Sequence, residues 1–144
     1  MTHEQLVRTA EALPIPSASA LEAYQGRQAS LAEGVTAALL ARPDVLRLIG
    51  EGNEQMMRDN HRNHARFIAS LGAGLDPEVL VDSVLWVFRA YTAHGFGLTY
   101  WSAQLNAWLD GMDRELPPDA VAELRPLYGW MLVHQPAFVQ LAAE

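Results

Sequence analysis

Apolar side chains recur along this chain at intervals of three and four residues, the spacing of an amphipathic helix. Nowhere do they alternate with the two-residue period of a half-buried strand. Leu21, Tyr24, Gln28, Leu31, Val35 and Leu39 form one stripe, with Gln28 as its polar gap, and Leu98, Trp101, Leu105, Trp108 and Met112 form another. The punctuation between stripes agrees. A first helix over Met1–Leu13 is closed by Pro14-Ile15-Pro16, and Ser19-Ala20-Leu21-Glu22 has the S-x-x-E spacing of a capping box at the start of a second. Pro43 requires that second helix to stop by Arg42; a short helix, Asp44–Ile49, then runs to Gly50 and Gly52. Asn53 is a candidate N-cap for a helix reaching Leu71, with Gly72 as its stop.

Asp76-Pro77 is the strongest start signal: a capping carboxylate followed by a proline where the missing N–H costs nothing. The helix it opens carries Val79 to His94 and ends at Gly95. Another runs from about Thr99 to Pro117-Pro118, and a last one begins at Asp119, with a kink expected near Leu124–Leu127 because Pro126 removes a backbone bond. Pro136 sets off a terminal turn, Ala137–Ala143. The pattern predicts an all-α protein: a single globin-like or irregular bundle domain of six to seven helices over residues 1–144, with residues 1–16 as a peripheral segment.

Composition narrows the function classes. Half of the residues are apolar, enough for a core without disulfides or a structural metal. All ten basic residues are Arg, set against 17 acidic ones, for a net charge of −7. That balance argues against a nucleic-acid or anionic-membrane binder. Arg42, Arg47, Arg58, Arg62 and Arg66 cluster in one stretch, while acid concentrates towards the C-terminal end. The chain has no Cys, which removes thiolate metal sites, iron–sulfur clusters and thiol catalysis. No apolar run approaches a membrane span and Met1–Ala12 lacks signal-peptide order, so a cytoplasmic location is expected.

The candidate chemistry lies on the helix after Asn53. Its apolar face reads Met57, Asn60/His61, His64, Phe67/Ile68 and Leu71, so three polar residues interrupt what is otherwise core. With a short connection after Leu71, this helix and the one after Pro77 are expected to pack as an antiparallel pair. That pairing brings Tyr91 and His94 near Asn60 and His61, with His64 one turn deeper and Met56, Met57, Trp86, Phe88 and Trp101 as an apolar wall. Such a cluster suits a small-ligand pocket, or a haem with His61 or His64 as axial ligand. It equally suits a half-exposed His61 and a core His64 bonded to a carbonyl or to Tyr91. Two histidines without a carboxylate one turn away make a poor metal cage, so no metal site is assigned. His94 and His134, each at a helix C-terminus, have a second role open to them in binding the last carbonyls.

The segments Asp59–Leu71, Val84–Tyr91, His94-Gly95-Phe96 and Tyr100-Trp101 resemble the helical input segments that precede regulatory modules in bacterial sensor proteins. These include the globin-like N-terminal domains of stressosome sensors and the helical segments ahead of cobalamin-binding regulators. Trp130–His134 with Phe138–Leu141 looks like the close of such a segment. The resemblance spans residues 50–144 and implies a globin-like fold, a homodimer and a sensing or scaffolding role; it carries over no ligand residue. The expected function is a non-enzymatic sensory or regulatory module that binds a small apolar or macrocyclic ligand or a protein partner. The alternatives are a haem or tetrapyrrole protein, and a small enzyme using His64 and Tyr91 as an acid–base pair. No nucleic acid and no membrane is expected as partner.

Overall fold

A computed structural model describes residues 1–144 as eight α-helices with no strand. They are α1 (His3–Glu11), α2 (Ala18–Leu40), α3 (Val45–Ile49), α4 (Glu54–Ala69), α5 (Pro77–Ala93), α6 (Thr99–Glu115), α7 (Pro118–Val133) and α8 (Gln135–Ala142). A 3-10 turn, Ser70–Ala73, extends α4, so the expected stop at Gly72 becomes a tightened last turn. No helix is long and apolar enough to cross a membrane.

The helix starts follow local hydrogen-bond chemistry. Asp76 accepts from the amides of Glu78 and Val79 with Pro77 behind it, as its sequence signal predicts. The capping box, in contrast, is not at Ser19. It lies at Thr2 and Gln5, which exchange bonds of 2.8 and 3.1 Å at the head of α1. Ser17 caps α2 by accepting from the Ala20 amide, and both its own amide and its hydroxyl donate to the Glu123 carboxylate of α7. A distant carboxylate thereby does for α2 what Glu22 was expected to do locally. Asn53 takes the expected N-cap position of α4, but its side chain makes no capping bond. Its Nδ2 donates to the carbonyls of Ile49 and His94, 2.7 Å each, and so ties the corner before α4 to the corner after α5. Helix α7 continues through Pro126 without interruption.

Helix α2 is the spine, with α4, α6 and α7 packed on it. Tyr24, Leu31 and Leu39 of α2, Trp108 and Met112 of α6, and Tyr128 of α7 are fully buried there. The α1 segment is not peripheral: Leu6 and Ala10 are fully buried in the common core, and the Trp130 indole N–H donates to Thr9. Two glycines set the corner that launches α6. The Gly97 amide donates to Leu48 O at 2.8 Å, and a Cβ there would stand 3.1 Å from Arg47 O. Gly50, at φ +78, has left-handed backbone and lies against Gly95 O. At each position a side chain would crowd a neighbouring backbone carbonyl. Tyr100 and Trp101 follow directly, in the first turn of α6.

The expected α4–α5 pair does not form. Helix α4 packs on α2, whereas α5 is held by α1 and α8. The physical reason lies in their facing residues. The α4 face offers Asn60 and His64, which find polar partners on α6 and α7, while α5 turns Leu80, Val84 and Phe88 towards the same space.

Candidate ligand cavity

The gap between α4 and α5 is a cavity of about 190 Å³. Asn60, His64 and Phe67 of α4 form one side and Leu80, Val84, Phe88 and Tyr91 of α5 the other. Trp101, Gln104 and Leu105 of α6 form the floor, and Met131 and Phe138 close the end. Trp86 and Asn63 stand at the mouth, where Trp86 is 65% exposed. The aromatic lining is ordered by mutual packing: Phe88 stacks on Trp101 with ring centroids 4.7 Å apart, and Tyr91 meets Trp101 edge-on. No Asp, Glu, Arg or Lys side chain lines the cavity. A second, larger hollow between α2 and α6 is an open surface trough around Arg42, Asp110 and Arg114.

Behind the α4 wall run two buried hydrogen-bond chains. In the first, His61 Nδ1 lies 2.7 Å from Thr36 Oγ1, and His61 Nε2 lies 3.0 Å from the Tyr100 hydroxyl, which accepts from Asn60 Nδ2 at 2.8 Å. Thr36 also donates to Ala32 O. One arrangement gives every donor an acceptor: Asn60 to Tyr100, Tyr100 to His61 Nε2, His61 Nδ1–H to Thr36, and Thr36 to the backbone. The tautomer is assigned by that requirement. In the second chain, Tyr24 and Tyr128 hydroxyls are 3.4 Å apart and Tyr128 lies 2.7 Å from His64 Nε2. Tyr128 thus bonds both Tyr24 and His64, and His64 Nδ1 has no partner within the protein. Its ring also packs on Trp108 at 4.6 Å.

Electrostatics follow from burial. Loss of water pushes both His61 and His64 down to about 3, with the Arg58 charge adding to the effect at His61 and His61 itself adding to it at His64. Both imidazoles are neutral at physiological pH. Desolvation raises the phenols of Tyr24, Tyr100 and Tyr128 above their ordinary value, and that of Tyr91 as well.

Of the residues singled out in the sequence, Asn60, His64, Trp86, Phe88, Tyr91 and Trp101 do line one cavity, and Met56 and Met57 lie outside it. His61 lies behind the wall, with no exposed surface and both nitrogens bonded, so the half-exposed surface expected for it belongs instead to His64. His64 bonds Tyr128, not Tyr91. His94 is exposed at the end of α5, outside the cluster, where its backbone carbonyl receives Asn53. His134 does bind a helix-end carbonyl, that of Trp130, at 2.9 Å. Thr36, Gln104 and Tyr24 complete the buried polar set and carried no expectation of chemistry, while Tyr128 and Tyr100 belong to an aromatic set (with Trp86, Trp101, Trp108 and Trp130) whose spacing suits core or a flat-ligand pocket. Thr36 and Gln104 carried a usable signal, being polar residues at core positions of helical stripes. No three His, Asp or Glu side chains converge to hold a metal.

The fold and site define an all-α bundle with an uncharged, largely apolar pocket that opens to the surface beside Trp86. Comparison with models of protein families, with curated proteins and with solved structures found no match to this chain.

Proposed function

We propose that this chain is a non-enzymatic, globin-like sensory or regulatory module that takes up a small apolar ligand between α4 and α5 and acts as a homodimer. The observation that carries the reading is the 190 Å³ space itself, in a bundle whose other large side chains interdigitate. Native cores seldom leave room of this size, and an engineered apolar cavity of about 150 Å³ suffices to bind benzene. The cavity lining supplies no charged group, and the one imidazole in it is too weak a base at about 3 to trade protons efficiently near neutrality. Both features favour binding over catalysis. The dimer is supported by two large apolar side chains of α5 left in water, Val79 at 54% and Trp86, beside the cavity mouth, at 65% exposed.

The haem alternative draws less support. His61 has no free nitrogen, and a four-pyrrole macrocycle needs far more room than a cavity on the scale of a benzene site. Calorimetric titration with benzene and toluene tests the proposal, with Val84→Phe as the filled-cavity control. Binding is expected to the natural sequence and not to the variant. No heat with either compound, or a Soret band after expression with haem, overturns the proposal. Sedimentation at high concentration tests the dimer; a monomer throughout refutes that part.

A further inference from the structure

Three of the four tryptophans are locked in place. Trp101 stacks on Phe88. Trp108 packs on the His64 ring and donates to Gln104 Oε1 at 3.1 Å, and Trp130 meets Phe138 edge-on and donates to Thr9 Oγ1 at 2.8 Å. None of the three is more than 6% exposed. Trp86 is the exception. It stands at the cavity mouth with 65% of its surface in water, no aromatic ring packs on it, and its indole N–H makes no bond within the protein. An exposed side chain so little held changes rotamer on the picosecond-to-nanosecond scale.

The cavity lacks what this side chain can supply. An apolar guest is held by the removal of its surface from water, and small-molecule sites bury about 70–90% of that surface. Leu80, Val84 and Phe88 on one side, Phe67 on the other and Trp101 beneath provide apolar cover, but the mouth beside Trp86 is open. Asn63, also at the mouth, covers an apolar guest poorly, because its carboxamide would give up water without gaining a partner. An indole is mostly apolar. Turned over the opening, it takes its own ring and the guest's wet edge out of water together.

We infer that Trp86 is a lid which the guest itself closes: in the empty cavity the indole stands in water, and a bound apolar guest draws it over the mouth by rotation about its own side-chain bonds. This rests on the small-ligand reading above and adds to it the residue that retains the guest.

Toluene is the probe. Protein labelled with 5-fluorotryptophan gives one ¹⁹F signal per tryptophan, and Trp86→Phe identifies the signal of Trp86. The change of each signal between H₂O and D₂O reports contact with water. Measured at low protein concentration, where a second copy does not cover the indole, Trp86 should show by far the largest solvent-isotope shift. Saturating toluene should cut that shift sharply and leave the other three signals small. Trp86→Ala truncates an exposed side chain and leaves the core packing intact. It should bind toluene about tenfold more weakly in calorimetric titration, the worth of one good aromatic contact, chiefly through faster dissociation. Val84→Phe, with the cavity filled, should show neither binding nor shielding of Trp86. Toluene that binds but leaves Trp86 as wet as before, or that binds Trp86→Ala as tightly as the natural sequence, overturns the lid and leaves the apolar-binding proposal standing. Toluene that gives no heat with the natural sequence removes both.

Discussion

Acidification from pH 7.5 to pH 5 should destabilise this protein through two particular histidines. His61 and His64 are held near 3 in the folded state by loss of water, against about 6.5 in an unfolded chain. Their folded value is depressed, so the folded protein binds fewer protons than the unfolded chain between those limits. The stability they carry is complete above pH 6.5 and is lost progressively as pH falls towards 3. At pH 5 each unfolded imidazole is almost fully protonated and each folded one is not, a penalty of about 2 kcal/mol per histidine. The figure depends on the folded value lying well below 5, not on its last digit. For two histidines the loss is about 4 kcal/mol, a large share of the stability of a typical domain. Carboxylates also contribute to acid sensitivity, so the decisive quantity is a difference of slopes. Urea denaturation at several pH values between 4.5 and 5.5 gives the slope of unfolding free energy against pH. His61→Gln and His64→Gln should each remove about 1.3 kcal/mol per pH unit from it, whatever they do to stability at pH 7.5. Slopes unchanged in both variants would refute the assignment of two neutral, desolvated imidazoles.

Tyr100→Phe removes the hydroxyl that links Asn60 to His61 and leaves two buried groups short of a partner, so a loss of about 1–3 kcal/mol is expected in chemical denaturation. A change below half a kcal/mol would mean that water or rearrangement satisfies them. Asp76→Ala deletes the acceptor for two amides at the head of α5 and is expected to cost about 1 kcal/mol by thermal unfolding, with Asp76→Asn retaining most of it.

How much of this was legible beforehand follows from the range of the interactions involved. Helix spans were readable because their signals are local: Asp76-Pro77, the Pro117-Pro118 break and the Leu98–Met112 stripe all act within a few turns. Of that stripe Trp101, Leu105, Trp108 and Met112 are core, while Leu98 is half exposed at the corner. The failures are long-range. Nothing near Ser17 announces that Glu123, more than a hundred residues on, will bind it. Asn53 holds the expected N-cap position, but its side chain is drawn to the carbonyls of Ile49 and His94. The polar interruption of α4 lies on the face that borders the cavity, since Asn60 and His64 both line it. The relative depth of His61 and His64 was not readable. It depends on Thr36 and Tyr100, contributed by helices that sequence spacing does not relate to α4. The lack of close α4–α5 packing has the same origin. A short connection suggests neighbours, but α1 and α8, the most distant elements in sequence, are the ones that occupy α5.

The two sides of the cavity differ in stiffness. Helix α4 is riveted to three neighbours by directional bonds: His61 to Thr36 of α2, Asn60 and His61 to Tyr100 of α6, and His64 to Tyr128 of α7. Helix α5 rests mainly on apolar contacts, which tolerate sliding, and its polar moorings lie at the surface: Asp82 to His3 of α1, and Arg89 to the carbonyls of Leu141 and Ala142 in α8. Pressure from within therefore meets an anvil on one side and a spring on the other. Whatever displaces α5 pulls on the first and last helices together, so a change of one guest-sized volume in the interior becomes a change in the spacing of the two elements farthest apart along the chain.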